Sequence, residues 1–340
     1  MGLRHQPYMR IQKADFERTN PVLSLVLPCY NEKDVLPETN SRLVKLLDRL
    51  KLNNEIAQGS AIFYIDDGSH DNTWELIQKY TEVNPHICGI KLSRNRGHQN
   101  ALLCGLMSVP GQVVISLDAD LQDDLEAIPK MIAAYQKGAE VVYGVRSKRD
   151  TDSLLKRFTA QGYYKILAYL GAEIVYNHAD YRLMSRRAIE ALREYEETHL
   201  FLRGLIPQLG FQTDIVEFER AERFAGKSKY PMTKMFSLAW QGITSFTAYP
   251  LRLITGVGVL VSIGSLAMVG WAFFMRLFTD NALPGWASTV IPMYFLGGIQ
   301  LLSLGVIGEY IAKTYESTKK RPRFNIEELC GDIFQKLDTM

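Results

Sequence analysis

Short apolar runs alternate along the chain with longer stretches whose apolar positions recur at helical spacing. Strands are predicted over residues 22–27, 61–65, 87–92, 113–117 and 140–145, and helices over about 34–52, 72–83, 97–108 and 124–137. Nearly continuous apolar strands separated by amphipathic helices form the pattern of a parallel sheet covered on both faces. Past residue 250 the pattern changes. From Leu253 to Gly308, 56 residues hold only two charges, Arg276 and Asp280. Its first 23 uncharged residues, 253–275, would span about 34 Å as a helix, against a hydrocarbon core of about 30 Å. A second such helix is predicted over about 290–311, after a turn at Pro284-Gly285-Trp286, which makes a two-helix transmembrane hairpin. Two stretches before it suit a membrane surface. One is 232–250, with Phe236, Trp240, Ile243, Phe246 and Tyr249 among few charges. The other is 154–169, where Lys156, Arg157 and Lys165 mix with Leu154, Phe158 and Tyr163, and where an ordinary packing helix fits equally.

The expected organisation is an N-terminal extension (1–20), an α/β domain (21–231), a juxtamembrane amphipathic helix (232–250), the hairpin (251–312) and a C-terminal tail (313–340). Basic residues flank the hairpin's outer ends, Arg252 on one side and Lys313, Lys319, Lys320, Arg321 and Arg323 on the other. The positive-inside rule therefore places the α/β domain and both termini in the cytoplasm. Residues 1–20 have no apolar signal core, which agrees with that placement.

With 47% apolar and 22% charged residues, the composition excludes a disordered, collagen-like or disulfide-scaffold chain. The net charge of +2 hides a segregation, since residues 21–145 carry −5 and residues 146–234 carry +4. We read the acidic region as holding a cation and the basic region as meeting an anion, with nucleic acid not expected as a partner. Cys29, Cys88, Cys104 and Cys330 form no CxxC pair, which fits reduced thiols. The six histidines form no HxxxH pair and read as ordinary surface or core residues.

Ligands of open parallel sheets bind beyond the carboxyl ends of the strands. The first predicted strand is followed by Pro28-Cys29-Tyr30-Asn31-Glu32 and the second by Asp66-Asp67-Gly68-Ser69. The third leads into Ser93-Arg94-Asn95-Arg96-Gly97 and the fourth into Asp118-Ala119-Asp120-Leu121-Gln122. Any one of these could be turn chemistry; four together mark a crevice. Asp118 and Asp120, two apart on an extended segment, point to the same side. With Gln122 they can face Mg2+ or Mn2+, which takes one or two carboxylates and fills its octahedron with water and substrate phosphates. No G-x-G-x-x-G follows a strand, and Gly226-Lys227-Ser228 has Ala221 where a P-loop needs its first glycine. Dinucleotide enzymes and P-loop NTPases are thereby set aside.

The order Pro-x-Tyr-Asn-Glu, Asp-Asp-Gly-Ser, Arg-Asn-x-Gly and Asp-x-Asp-x-Gln resembles family 2 glycosyltransferases with the GT-A fold, a Rossmann-like, mostly parallel α/β sheet. Asp180-Tyr181-Arg182-Leu183-Met184, Phe201-Leu202-Arg203-Gly204, Arg223-x-x-Gly226-x-Ser228-Lys229-Tyr230 and Gly308-Glu309-Tyr310-Ile311 narrow the resemblance. They are similar to polyprenyl-phosphate glycosyltransferases, above all bactoprenol glucosyltransferases of the O-antigen-modifying type. The likeness covers about residues 21–324.

The resemblance implies inverting transfer of a sugar, best glucose from UDP-glucose, to undecaprenyl phosphate at the bacterial inner membrane. A UDP-aminoarabinose-type donor or GDP-mannose is the alternative. It implies that Pro28, Tyr30, Glu32 and Asn95 shape the donor pocket and that Asp66 or Asp67 reads the base. Asp118, Asp120 and Gln122 would hold the metal and, through it, the donor diphosphate. Arg146, Arg203, Arg223, Ser228 and Lys229 are the phosphate-binding candidates. Asp180 falls where relatives are proposed to have a base, but a phosphate monoester has its second pKa near 6, so orienting an arginine is as plausible. A processive synthase is disfavoured because the chain lacks Gln-x-x-Arg-Trp, and a non-catalytic membrane scaffold because the Asp118, Asp120 and Gln122 set is intact. Residues 323–340 could pair with a neighbouring copy in a homo-oligomer.

Overall fold

The structure, a computed structural model, describes residues 18–146, 178–196, 201–219, 249–278 and 285–337. Arg223, Ser228, Lys229, the stretch 154–169 and all but the end of 232–250 lie outside them. In chain order the elements are β1 (Leu23–Cys29), α1 (Leu36–Leu52), β2 (Ala61–Asp66), α2 (Thr73–Val83), β3 (Ile87–Leu92) and α3 (His98–Ser108). There follow β4 (Val113–Ser116), α4 (Ala127–Gln136), β5 (Val141–Arg146), β6 (His178–Ser185), α5 (Arg186–Arg193), α6 (Leu202–Gln208) and β7 (Thr213–Phe218). The described chain ends with α7 (Tyr249–Phe278), α8 (Gly285–Thr318), β8 (Ile326–Cys330) and α9 (Asp332–Leu337). All five predicted strands and all four predicted helices of the first 145 residues are present.

The strands form one sheet in the order β7-β5-β6-β4-β1-β2-β3-β8. Strands β1 to β4 are mutually parallel, β5 and β7 run parallel to each other, and β6 and β8 pair antiparallel with their neighbours. Side chains alternate between two buried layers, as the pleat requires. Leu25, Leu27, Tyr64 and Ile115 pack with Leu43 and Leu47 of α1 and Ile128 and Met131 of α4. Val26, Phe63, Val114 and Met184 pack on the other face with Leu102 of α3, Ile189 of α5 and Leu205 of α6.

Strand β1 lies between β2 and β4, where the strand order reverses, and this is where an open sheet forms its crevice. Its pairing with β4 stops at Val26 and Ser116, two residues before Pro28. Proline has no N–H to extend the ladder, so the strands part there.

The C-terminal segment joins the sheet of the α/β domain. Residues 313–340 were read as a tail beyond a domain ending at 231, but β8 closes the sheet against β3, with Cys330 opposite Gly89 and Glu328 opposite Lys91. Glu328 accepts hydrogen bonds from Trp74 Nε1 (3.2 Å) and Gln78 Nε2 (2.8 Å), and Phe334 packs edge-on against Phe63 at 5.8 Å. The segment offered above for pairing with a neighbour thus covers the β3 edge of its own chain. Short local patterning could not reveal this, because Ile326-Glu327-Glu328-Leu329 is too polar to read as a strand until Lys91, Trp74 and Gln78 are beside it. Replacing Phe334, 7% exposed, by alanine should cost about 3 kcal/mol. A thermal-unfolding midpoint of the purified variant equal to wild type would refute that packing role.

Helices α7 and α8 occupy the region of the expected hairpin. They present Leu260, Trp271 and Phe278, and Phe295, Leu301, Leu302 and Leu304, to the outside. Among the described residues one segment, Phe295–Thr318, is long and apolar enough to cross a membrane, and none of its apolar window is buried. It lies a few residues C-terminal to the predicted 290–311. The span expected at 253–275 falls within α7.

Candidate active site

The loops after β1, β2 and β3 are tied together before any ligand chemistry is considered. Asn31 Oδ1 accepts from His70 N, Asn31 N donates to Ser69 Oγ, and Glu32 N donates to Thr73 Oγ1. Tyr30 remains 41% exposed at the crevice. Gly68 has φ +68°, and a Cβ there would lie 2.7 Å from the Arg94 and Asn95 backbone, so only glycine allows the second and third loops to meet.

The paired Asp66 and Asp67 have different environments. Asp67 gives both oxygens to backbone amides, Oδ1 to Arg96 N at 2.7 Å and Oδ2 to Gly97 N at 2.8 Å, and so fixes the loop that starts α3. Asn95 adds a local bond to Gly97 N. Asp66 is fully buried; its Oδ2 accepts from Ser69 N, while Oδ1 has no partner among the described residues. Burial raises the pKa of Asp66, partly offset by Ser69. Of the two, Asp66 is the one that keeps an oxygen without a partner among the described residues.

The loop after β4 carries the proposed metal set. Asp120 Oδ1 accepts from Gln122 N, and Leu121 between them has φ +58° while 92% of its surface is covered. A left-handed leucine costs roughly 1–2 kcal/mol, strain of the kind that clusters at ligand sites. Buried Asp123 receives Asp118 N at 3.4 Å on Oδ2, and its Oδ1 has no partner among the described residues. Burial, then the charge of Asp118, pushes the Asp123 carboxyl up to about 7, and Arg146 at the end of β5 opposes this. Burial also raises Asp118, as do Asp180 and Asp120, against the pull of His98. Among the described residues no three His, Cys, Asp or Glu side chains converge as a self-sufficient metal site. Two carboxylates and an amide next to an unpartnered buried carboxylate oxygen fit a hard cation that takes its other ligands from substrate.

Across from this loop, Asp180 of β6 is the hub of the basic side. Ser116 Oγ donates to its backbone carbonyl at 2.6 Å, which locks β6 against β4. Its carboxylate accepts from Arg182 Nη2, from Arg203 Nε (3.2 Å) and Nη2 (3.0 Å), and from Gln99 Nε2 (3.2 Å). His98 Nε2 lies 3.5 Å from Asp180 Oδ2 and 3.6 Å from Asp118 Oδ1. Burial alone would raise the Asp180 pKa, but His98, Arg182 and Arg203 together hold it well below the usual carboxylate range. Arg182 is wholly buried, with Nε and Nη1 unpartnered among the described residues, and burial lowers its pKa against the pull of Asp180.

The sequence reading named Asp118, Asp120, Gln122, Asp180 and Arg203; the fold sets Asp118 and Asp180 on either side of His98, with Arg203 held on Asp180 and with Asp120 and Gln122 on the loop that follows Asp118. It missed His98, Gln99, Asp123 and Arg182. His98 and Gln99 directly follow the Arg-Asn-x-Gly motif, and their position at the start of a helix aimed at the crevice was the available signal. Arg182 sits inside a quoted motif, but its burial is a tertiary fact.

The family profile described as glycosyl transferase family 2 matches residues 24–193. An uncharacterized glycosyltransferase of Bacillus subtilis, YkoT, is 46% identical over 314 residues, 92% of this chain and 93% of that protein. A prophage bactoprenol glucosyl transferase homolog of Escherichia coli is 39% identical over 308 residues, 90% of this chain and 99% of that one. The bactoprenol glucosyl transferase of Shigella phage SfX is 39% identical over 306 residues, 90% and 98% of the two chains. Among solved structures, glucosyl-3-phosphoglycerate synthase of Mycobacterium tuberculosis covers 71% of this chain and 84% of its own, at 17% identity and a TM-score of 0.43, too distant to transfer site roles. On its sequence motifs, its sheet and its full-length relatives, the chain belongs to glycosyltransferase family 2 and is a glycosyltransferase.

Proposed function

We propose that the protein transfers a sugar, best glucose from UDP-glucose, with inversion to undecaprenyl phosphate at the cytoplasmic face of a bacterial membrane. The observation that carries this reading is the pairing, across one crevice, of an oxygen-rich loop (Asp118, Asp120, Gln122) with an arginine-rich cluster around Asp180. The first suits a metal-bound diphosphate and the second a lipid phosphate. Full-length relatives named bactoprenol glucosyl transferase support the acceptor, and the outward apolar surface of α7 and α8 supports a hairpin beside the bilayer.

In this mechanism Tyr30 and Asp66 receive the nucleoside, and Asp118, Asp120 and Gln122 would hold Mg2+ or Mn2+. When bound, the cation acts as a Lewis acid that neutralises charge on the departing diphosphate. Arg203, whose guanidinium Asp180 holds in a two-point grip, orients the acceptor phosphate for attack on the anomeric carbon from the opposite side. Arg146, Arg223, Ser228 and Lys229 are assigned to the same phosphate. Asp180 serves as the clamp of Arg203 and not as a base, because a carboxylate held so acidic is a poor proton acceptor and the phosphate is already largely ionised at neutral pH.

The test is to incubate the purified full-length protein and Mg2+ with undecaprenyl phosphate and, in parallel, UDP-glucose, a UDP-aminoarabinose-type donor and GDP-mannose. Identification of an undecaprenyl-phosphate glucose by mass is the expected outcome. A different sugar on the lipid would revise the donor, and absence of any glycolipid would overturn the acceptor assignment.

A further inference from the structure

The residue with the most unusual position is one that the mechanism above leaves without a task. His98 is the first residue of α3, and one ring nitrogen faces both a carboxylate of the donor loop and the carboxylate of the arginine cluster, at 3.6 and 3.5 Å. Its place is set from both sides. On the donor side, Asp67 holds the amides of Arg96 and Gly97, and Gly97 has φ +86°, a turn that glycine makes without strain. On the acceptor side, Gln99 donates to Asp180 Oδ2 and accepts from Leu202 N at the start of α6, the helix that carries Arg203. The imidazole therefore hangs from a backbone anchored to both halves of the crevice.

Resting on the function proposed above, we infer that His98 is a positioning residue that couples donor loading to the acceptor clamp. Its ring edge lies against Asp118 Oδ1, on a carboxylate assigned above to the donor's cation. A His98 that yields Asp118 to a cation keeps Asp180 as its one carboxylate partner among the described residues. Asp180 also grips Arg203 through both oxygens, so a change in the His98 contact is transmitted directly to the guanidinium assigned to the lipid phosphate. Neither sequence neighbour can replace this link, since Gly97 has no side chain and Gln99 is bonded to Asp180 and Leu202.

This assignment predicts two effects of opposite sign. Removing the ring frees Asp118 for the cation, and it also uncouples Arg203 from the donor side. In the full-length protein in detergent, His98→Ala should bind Mn2+ in the presence of UDP about fivefold more tightly. Its turnover to undecaprenyl phosphate should fall about tenfold or more, as expected when a reacting group is slightly misplaced. His98→Gln, which keeps a side-chain donor able to reach one carboxylate, should shift both quantities in the same directions by less. It decides the matter if His98→Ala does not fold. A purely structural role would weaken Mn2+ binding and turnover together, so unchanged or weaker Mn2+ binding overturns the inference, as does wild-type turnover. The Mn2+ measurement uses neither a sugar donor nor a lipid. It therefore still decides the competition for Asp118 if the proposed sugar or acceptor proves wrong, and if the wild-type panel selects GDP-mannose the same measurement is made with GDP.

Discussion

Asp120→Asn should lower sugar transfer by about three orders of magnitude, equivalent to about 4 kcal/mol of barrier, while the protein stays folded. The reason lies in what asparagine keeps and loses. Asp120 Oδ1 accepts the Gln122 amide, and an asparagine carbonyl accepts the same bond, so the strained turn at Leu121 retains its support. What disappears is one of the two carboxylates assigned to the cation and, with it, most of the attraction for a metal-bound diphosphate. Metal-dependent UDP binding should vanish in calorimetry while the thermal midpoint moves little. Near-normal transfer by this variant would remove the metal assignment of the whole loop.

Replacing Asp180 by alanine should have the largest effect on stability, about 3–5 kcal/mol, because it leaves a buried guanidinium without its counter-charge. Arg182 is wholly buried, and Asp180 is its one hydrogen-bonded carboxylate among the described residues. Asp180→Asn keeps an acceptor oxygen and should cost less, yet it loses the two-point grip on Arg203 and so should still depress transfer. The pH dependence follows from the same cluster. The folded-state pKa of Asp180 lies below its unfolded value, near 3.9, so its contribution is complete above about pH 4 and is lost as pH falls toward the folded pKa. Thermal unfolding measured from pH 7 to pH 3 should therefore show an acid-dependent loss in wild type that is smaller in Asp180→Asn. Identical acid sensitivity in the two proteins would contradict the clamp.

Much of the catalytic sheet was legible because its strands are buried on both faces. A run such as Leu23 to Leu27 has no exposed side and so reads as a strand without any knowledge of its partners. The polar strand ends were legible for the complementary reason, since several consecutive charged and amide residues after an apolar strand cannot be core. Beyond residue 146 local pattern served less well. Strand β6 carries Asp180 and Arg182 in its buried interior, and a charged pair in a strand looks like a loop until Arg203, His98 and Gln99 are known to surround it.

The sequence by itself determined the α/β rhythm, the acidic loop after the fourth strand, the uncharged segment near the C-terminus and the family, because these depend on periodicity, composition and local spacing. Tertiary structure alone decided that β8 returns from beyond α8 to close the sheet, since a polar edge strand is stabilised by its partners and not by its own residues. It alone separated Asp66, with an oxygen to spare, from Asp67, whose oxygens hold a loop. It also joined His98, from the start of α3, to carboxylates 20 and 82 residues further along the chain. Contacts between residues so far apart leave no local period in the sequence, and the electrostatics of the site arise from those contacts.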